Sequence, residues 1–165
     1  MNKRTESFAK ARDYAFFLLK FRLRSVNELA QRLRLKKIPA ETIKEVLSFL
    51  KEKRFIDDNV FAKAWVNSRL KKPFGMRRIK QELRQKGVDK EIIEAQTAKP
   101  QGYSESQTVL DLAKGRLNKS KGIDPVSAKR RVYAYLARRG FSPEVIIDTL
   151  NQLCTPPFLR DRGDS

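Results

Sequence analysis

Met76-Arg77-Arg78-Ile79-Lys80-Gln81-Glu82-Leu83-Arg84-Gln85-Lys86-Gly87 is the stretch on which the fold turns. Met76, Ile79 and Leu83 recur three and four residues apart, the period of one helical face, and Gly87 supplies a left-handed stop. The same phrase occurs twice more. With Lys37, Gly87 and Gly140 superposed, Leu33, Leu83 and Leu136 coincide four positions earlier. Leu29, Ile79 and Val132 coincide eight positions earlier, and Ile43, Ile93 and Ile146 six positions later. Three copies of a three-helix unit therefore account for the chain, and the expected class is all-α. The expected boundaries are residues 1–54, 55–99 and 100–154, followed by a tail at 155–165. Each unit is close to the lower size limit for independent folding and leans on its neighbour.

Outward from the repeated phrase, glycine and proline fall at boundaries and no segment alternates like a half-buried strand. Phe8, Ala11, Ala15 and Leu18 start the first helix, with Phe17 and Phe21 widening its apolar face. Ser25-Val26-Asn27-Glu28 spells a capping box opening the second, through Leu29 and Leu33. A third follows Pro39, with Ile43, Val46, Leu47 and Leu50 on one face. In the middle copy, Asp57-Asp58 caps a helix bearing Phe61, Ala64 and Trp65, and Asp89 caps a short one with Ile92 and Ile93. The last copy runs through Val109, Leu110, Ala113 and Leu117, then a helix opened by Asp124-Pro125, then one opened by Ser142-Pro143-Glu144. The junction at Arg54 to Ile56 is short and apolar, whereas the one at Thr97 to Tyr103 is longer and better suited to hinge.

The 165 residues carry 37 Lys+Arg against 19 Asp+Glu, a formal charge of +18. Charged residues make up 34%, above the roughly 25% of ordinary domains, and the excess is basic. Such a charge repels itself unless a polyanion is a regular partner. Nucleic acid leads, ahead of an anionic membrane or an acidic protein. Histidine is absent, which excludes every Ser-His-Asp, Cys-His or His-metal mechanism. The one cysteine, Cys154, cannot form an internal disulfide and reads as a small apolar residue at a helix end. No run of sequence resembles a membrane span or secretory signal, so a soluble cytoplasmic protein is expected. No glycine-rich phosphate loop is present, and nothing points to an enzyme, a catalytic residue or a cofactor. Helix capping explains Asp57 and Asp58 without a metal.

Lys71 to Gly87 holds the densest candidate site. Arg77, Lys80 and Arg84 form one stripe beside the apolar face, with Lys71, Lys72, Arg78 and Lys86 around it. Such a stripe can follow phosphates, and the turn at Gly75 offers backbone amides at a helix start. The third copy repeats the theme with Lys129, Arg130, Arg131, Arg138 and Arg139, whereas the first has Asn27 and Glu28 in place of Arg77 and Arg78. A solvated basic face is the plainer alternative. Phe74, Tyr103, Tyr133 and Tyr135 lie among the cations and are suited to stacking on bases. Core packing fits Tyr133 and Tyr135 better, and Phe74 is the aromatic least expected to be buried; Trp65 reads as core.

These residues carry a resemblance. Ile56-Asp57-Asp58-Asn59-Val60-Phe61-Ala62 with Ser68-Arg69, followed by Gly75 to Gly87, resembles the middle part of RecX proteins. Phe21-Arg22-Leu23-Arg24-Ser25-Val26-Asn27-Glu28-Leu29 is similar to the family's first-copy signature, and Tyr135-Leu136-Ala137-Arg138-Arg139-Gly140-Phe141 to its third. Lys37 departs from the glycine common at its turn. The resemblance implies three tandem three-helix repeats in an elongated, curved, solenoid-like body. It implies a non-enzymatic, monomeric regulator lying in the groove of the RecA–DNA filament, touching RecA and single- or double-stranded DNA without sequence preference. The implied outcome is inhibition of RecA's recombinase, ATPase and coprotease activities in DNA repair and the SOS response. Two other readings stay open: a helix-turn-helix-like protein binding DNA directly, and an adaptor for an acidic protein surface.

Overall fold

A computed structural model describes residues 3–98, 100, 102–120 and 122–154; the expected tail at 155–165 lies outside the described residues. Among the described residues there are nine helices and no strand. They are α1 (Lys3–Phe21), α2 (Val26–Leu35), α3 (Ala40–Glu52), α4 (Asp58–Leu70), α5 (Met76–Gln85), α6 (Lys90–Thr97), α7 (Glu105–Asn118), α8 (Pro125–Arg138) and α9 (Pro143–Cys154).

The described residues within 1–68 and 80–100 form one compact unit, and those within 69–79 and 101–165 a second. In the first, α1, α2 and α3 pack on one another around Ala11, Ala15, Leu29, Leu33, Val46 and Leu50. In the second, α7, α8 and α9 enclose Val109, Ala113, Val132, Leu136, Phe141, Ile146 and Leu150. The superposed columns are core columns: Leu33, Leu83 and Leu136 are wholly buried, as are Leu29, Ile79, Ile93 and Ile146. Each such side chain removed from water contributes roughly 1.5–3 kcal/mol.

The middle helix of each copy ends in the same way. Lys37, Gly87 and Gly140 take positive φ (56°, 71° and 81°), and their amides donate to Arg34, Arg84 and Ala137. The following amides of Ile38, Val88 and Phe141 donate to Leu33, Leu83 and Leu136 at 3.2, 3.2 and 3.3 Å. This is the Schellman arrangement, which satisfies two carbonyls that the helix leaves unpaired. Helix α3 ends likewise at Arg54, φ 57°, with the Phe55 amide on Leu50.

The caps divide their work differently from the sequence expectation. Ser25 and Glu28 form the full capping box, and Asp124 accepts from Ser127. Asp57 alone caps α4, accepting from the Asn59 amide at 2.7 Å. Asp58 begins the helix, and its carboxylate accepts instead from the first amide of α2, Val26, at 2.9 Å. Asp89 holds the N-cap position of α6 without a side-chain hydrogen bond. Cys154 is exposed at the end of α9. No helix among the described residues is long and apolar enough to cross a membrane.

Candidate nucleic-acid interface

The start of α5 is not open to an anion. Gly75 donates its amide to the Arg139 carbonyl at 2.9 Å, and Arg77 donates to the Gly140 carbonyl at 3.1 Å. A Cβ on Gly75 would collide with Gly140, and one on Gly140 with Arg78, so two glycines allow two backbones to meet. The sequence expectation of free amides at Gly75 is therefore corrected: a distant turn occupies them. The first unit repeats the joint with another donor. There Ser25 Oγ donates to the Lys86 carbonyl at 2.6 Å, while a Cβ on Gly87 would strike Asn27. Lys86 and Arg139 precede equivalent glycines, so the same helix-end carbonyl is satisfied in both joints.

In the second unit this joint gathers cations and rings. The Arg78 guanidinium lies over the Phe74 ring at 4.0 Å, and Arg139 lies 5.9 Å from the same ring. Arg139 also covers Tyr135 at 4.7 Å, with Arg116 over that ring at 3.8 Å. Arg139 further donates from a terminal nitrogen to the Pro73 carbonyl at 3.0 Å. The result is a ladder, Arg116–Tyr135–Arg139–Phe74–Arg78, in which every ring has guanidinium neighbours. Lys71, Lys72, Arg77, Arg130, Arg131 and Arg138 are exposed in this unit, while Lys129 donates to Asn151 at 2.8 Å.

Phe74, the aromatic least expected to be buried, is half-buried, with the Arg78 guanidinium over its ring. Tyr133 and Tyr135 pack against the core of the second unit, as expected. The Tyr103 hydroxyl is buried, which pushes its pKa up.

The first unit holds Lys80, Arg84 and Lys86. Arg84 is exposed, but Lys80 pairs with Glu94 at 2.5 Å. Lys86 is held on three sides: its ammonium lies 2.8 Å from Glu28 Oε1 and 4.1 Å from the Trp65 ring, with Phe61 beyond. Arg22 grips the other side of Glu28, donating to both carboxylate oxygens at 3.0 Å. Burial alone would raise the Glu28 carboxyl; hydrogen bonds from Arg22, Lys86 and the Ser25 amide outweigh it and hold the pKa at about 2. Trp65 stacks on Phe61 and donates to Glu82 at 3.0 Å, so it is half-buried with a polar tie. Arg116 is the functional candidate that sequence reasoning missed. It lies on α7, outside the two basic runs, and only the fold sets it beside Tyr135.

An all-α arrangement of three-helix repeats on a strongly basic chain defines a class of helical-repeat protein. Three family models identify which. Residues 11–50 match the first three-helix domain of RecX, residues 57–95 the second and residues 104–150 the third. The chain belongs to the RecX family. It is 34% identical over 144 residues to the regulatory protein RecX of Streptomyces coelicolor, covering 87% of this chain and 77% of that one. It is 37% identical over 145 residues to the regulatory protein RecX of Chlorobium phaeobacteroides, covering 87% and 93%. The crystal structure of RecX from Lactobacillus salivarius shares the fold with a TM-score of 0.80 at 23% identity, covering 90% of this chain and 97% of that chain.

Proposed function

We propose that this protein binds RecA–DNA filaments in the cytoplasm and restrains RecA's recombinase, ATPase and coprotease activities during DNA repair and the SOS response. It acts as a monomer, through the repeats at 1–54, 55–99 and 100–154, with basic residues turned to DNA and RecA. Membership in a family whose curated relatives are named regulatory proteins carries this reading. The net charge of +18 supports a polyanion in the complex.

Direct helix-turn-helix binding fits less well. A recognition helix contacts bases with its N-terminal residues. The N-terminus of α5 is instead plugged by the Arg139–Gly140 turn. The decisive measurement is DNA-dependent ATP hydrolysis by the cognate RecA with increasing amounts of this protein. Suppression is expected below one copy per RecA protomer, because blocking growth of a filament silences many protomers at once. An unchanged rate at equimolar protein would remove the proposal.

A further inference from the structure

The guanidinium–aromatic ladder of the second unit does something that neither its charges nor its rings do separately. Aromatic residues among cations ordinarily suggest bases stacked on rings, which requires unpaired bases. Here the rings are already engaged. Arg116 and Arg139 lie over Tyr135, and Arg78 and Arg139 lie near Phe74. A ring so engaged has little face left for a base, and at 3.8 Å the Tyr135 ring restrains the Arg116 guanidinium that lies over it. A guanidinium that stacks on a ring through its face keeps its in-plane N–H donors for polar partners. Arg139 is pinned further by its bond to the Pro73 carbonyl.

We propose that Arg116 and Arg139 form a pre-oriented row for the sugar–phosphate backbone, with Tyr135 as the positioning residue that holds the arginines rather than as a platform for bases. The row reads phosphate and ignores the base. Holding long side chains in advance lowers the entropy lost on binding. This deepens the proposed filament role by naming the chemistry that one of its surfaces recognises.

The test uses the full-length protein and fluorescence anisotropy with two labelled strands of equal length, oligothymidylate and an abasic deoxyribose-phosphate oligomer. Equal affinity within about twofold is expected, since only phosphates are read. Arg116→Gln should flatten the log–log salt dependence by about 0.7, the share of one phosphate contact on a single strand. Arg116→Lys keeps the charge but not the planar stacked fork, so it should restore the salt slope and leave affinity below the parent. Tyr135→Phe should bind like the parent and Tyr135→Leu more weakly, at unchanged net charge and with folding verified by melting.

Much tighter binding of oligothymidylate than of the abasic strand would overturn the proposal, since bases would then be stacking on rings. Unchanged strand binding in Arg116→Gln and Arg139→Gln would overturn it too. If those variants nevertheless lost RecA inhibition, the row would face an acidic protein surface instead. The two readings fail separately: strands bound through the row without any effect on RecA ATPase would sink the filament role and leave the row standing.

Discussion

Lys86 lies in the same basic run as Arg84, yet its ammonium is held between Glu28 and the Trp65 ring. Its charge already has a partner inside the fold, and that partnership gives a pH signature. The Glu28 carboxyl drops from its ordinary 4.5 to about 2 on folding. A depressed acid adds stability above its unfolded value, and that stability is lost as pH falls from about 4.5 toward 2. The melting temperature of Glu28→Gln should therefore fall less than the parent's between about pH 6 and pH 3; parallel curves would mean Glu28 is unpaired in solution. The helix-end residues make a second contrast. Gly140→Ala should cost more than the ~1–2 kcal/mol of a left-handed alanine, because its Cβ also meets Arg78. Lys37, at φ 56°, already bears that strain. Lys37→Gly removes it against a chain-entropy cost of roughly 0.5–1 kcal/mol, so a gain of up to about 1.5 kcal/mol is expected from denaturant midpoints. A glycine that must stay and a lysine that need not are thus told apart by what packs on them.

Helix α5 carries two separable faces. Leu83 is wholly buried, and Leu83→Ala should cost roughly 2–5 kcal/mol through a core cavity. Replacing Arg77, Lys80 and Arg84 with glutamine keeps helix propensity nearly constant. It breaks the solvent-accessible Lys80–Glu94 pair, so stability should change by under about 1 kcal/mol. Inhibition of RecA should still fall sharply, measured as ATPase at matched folding; full inhibition would make the stripe a solvated face. The helices and their buried columns were legible because α-helical periodicity is local: Leu29, Leu33 and their counterparts declare the core within a few residues of chain. The joints were not legible. Asp58 to Val26, Ser25 to Lys86 and Gly75 to Arg139 link residues far apart in sequence, where no local period connects them. The candidate site divides the same way: Arg77 and Arg84 stand exposed as their spacing implied, while Lys86 and Arg116 acquire their roles from side chains on other helices.

For the whole molecule, the charge of +18 says how binding should respond to salt, whatever the exact row of contacts. A protein that neutralises about six phosphates on duplex DNA releases the counterions those phosphates held. At roughly −0.9 per contact, the log–log slope of affinity against salt is then about −5. Such binding is weak at physiological salt and nearly blind to sequence, because phosphates are the same at every step. Several cations must be subtracted from the full tally before any contact is counted. Lys86, Lys80 and Lys129 have partners in the fold, and exposed residues such as Arg77, Arg84, Arg130, Arg131 and Arg138 supply the difference. A titration of the purified protein against duplex DNA, without RecA and at several salt concentrations, checks this directly. A flat response would assign the charge to a partner other than DNA, and a strong preference for one duplex sequence would reinstate groove reading by α5. A slope near −5 that grows shallower when Arg130 and Arg131 are replaced by glutamine would put the third repeat's cations on the phosphates.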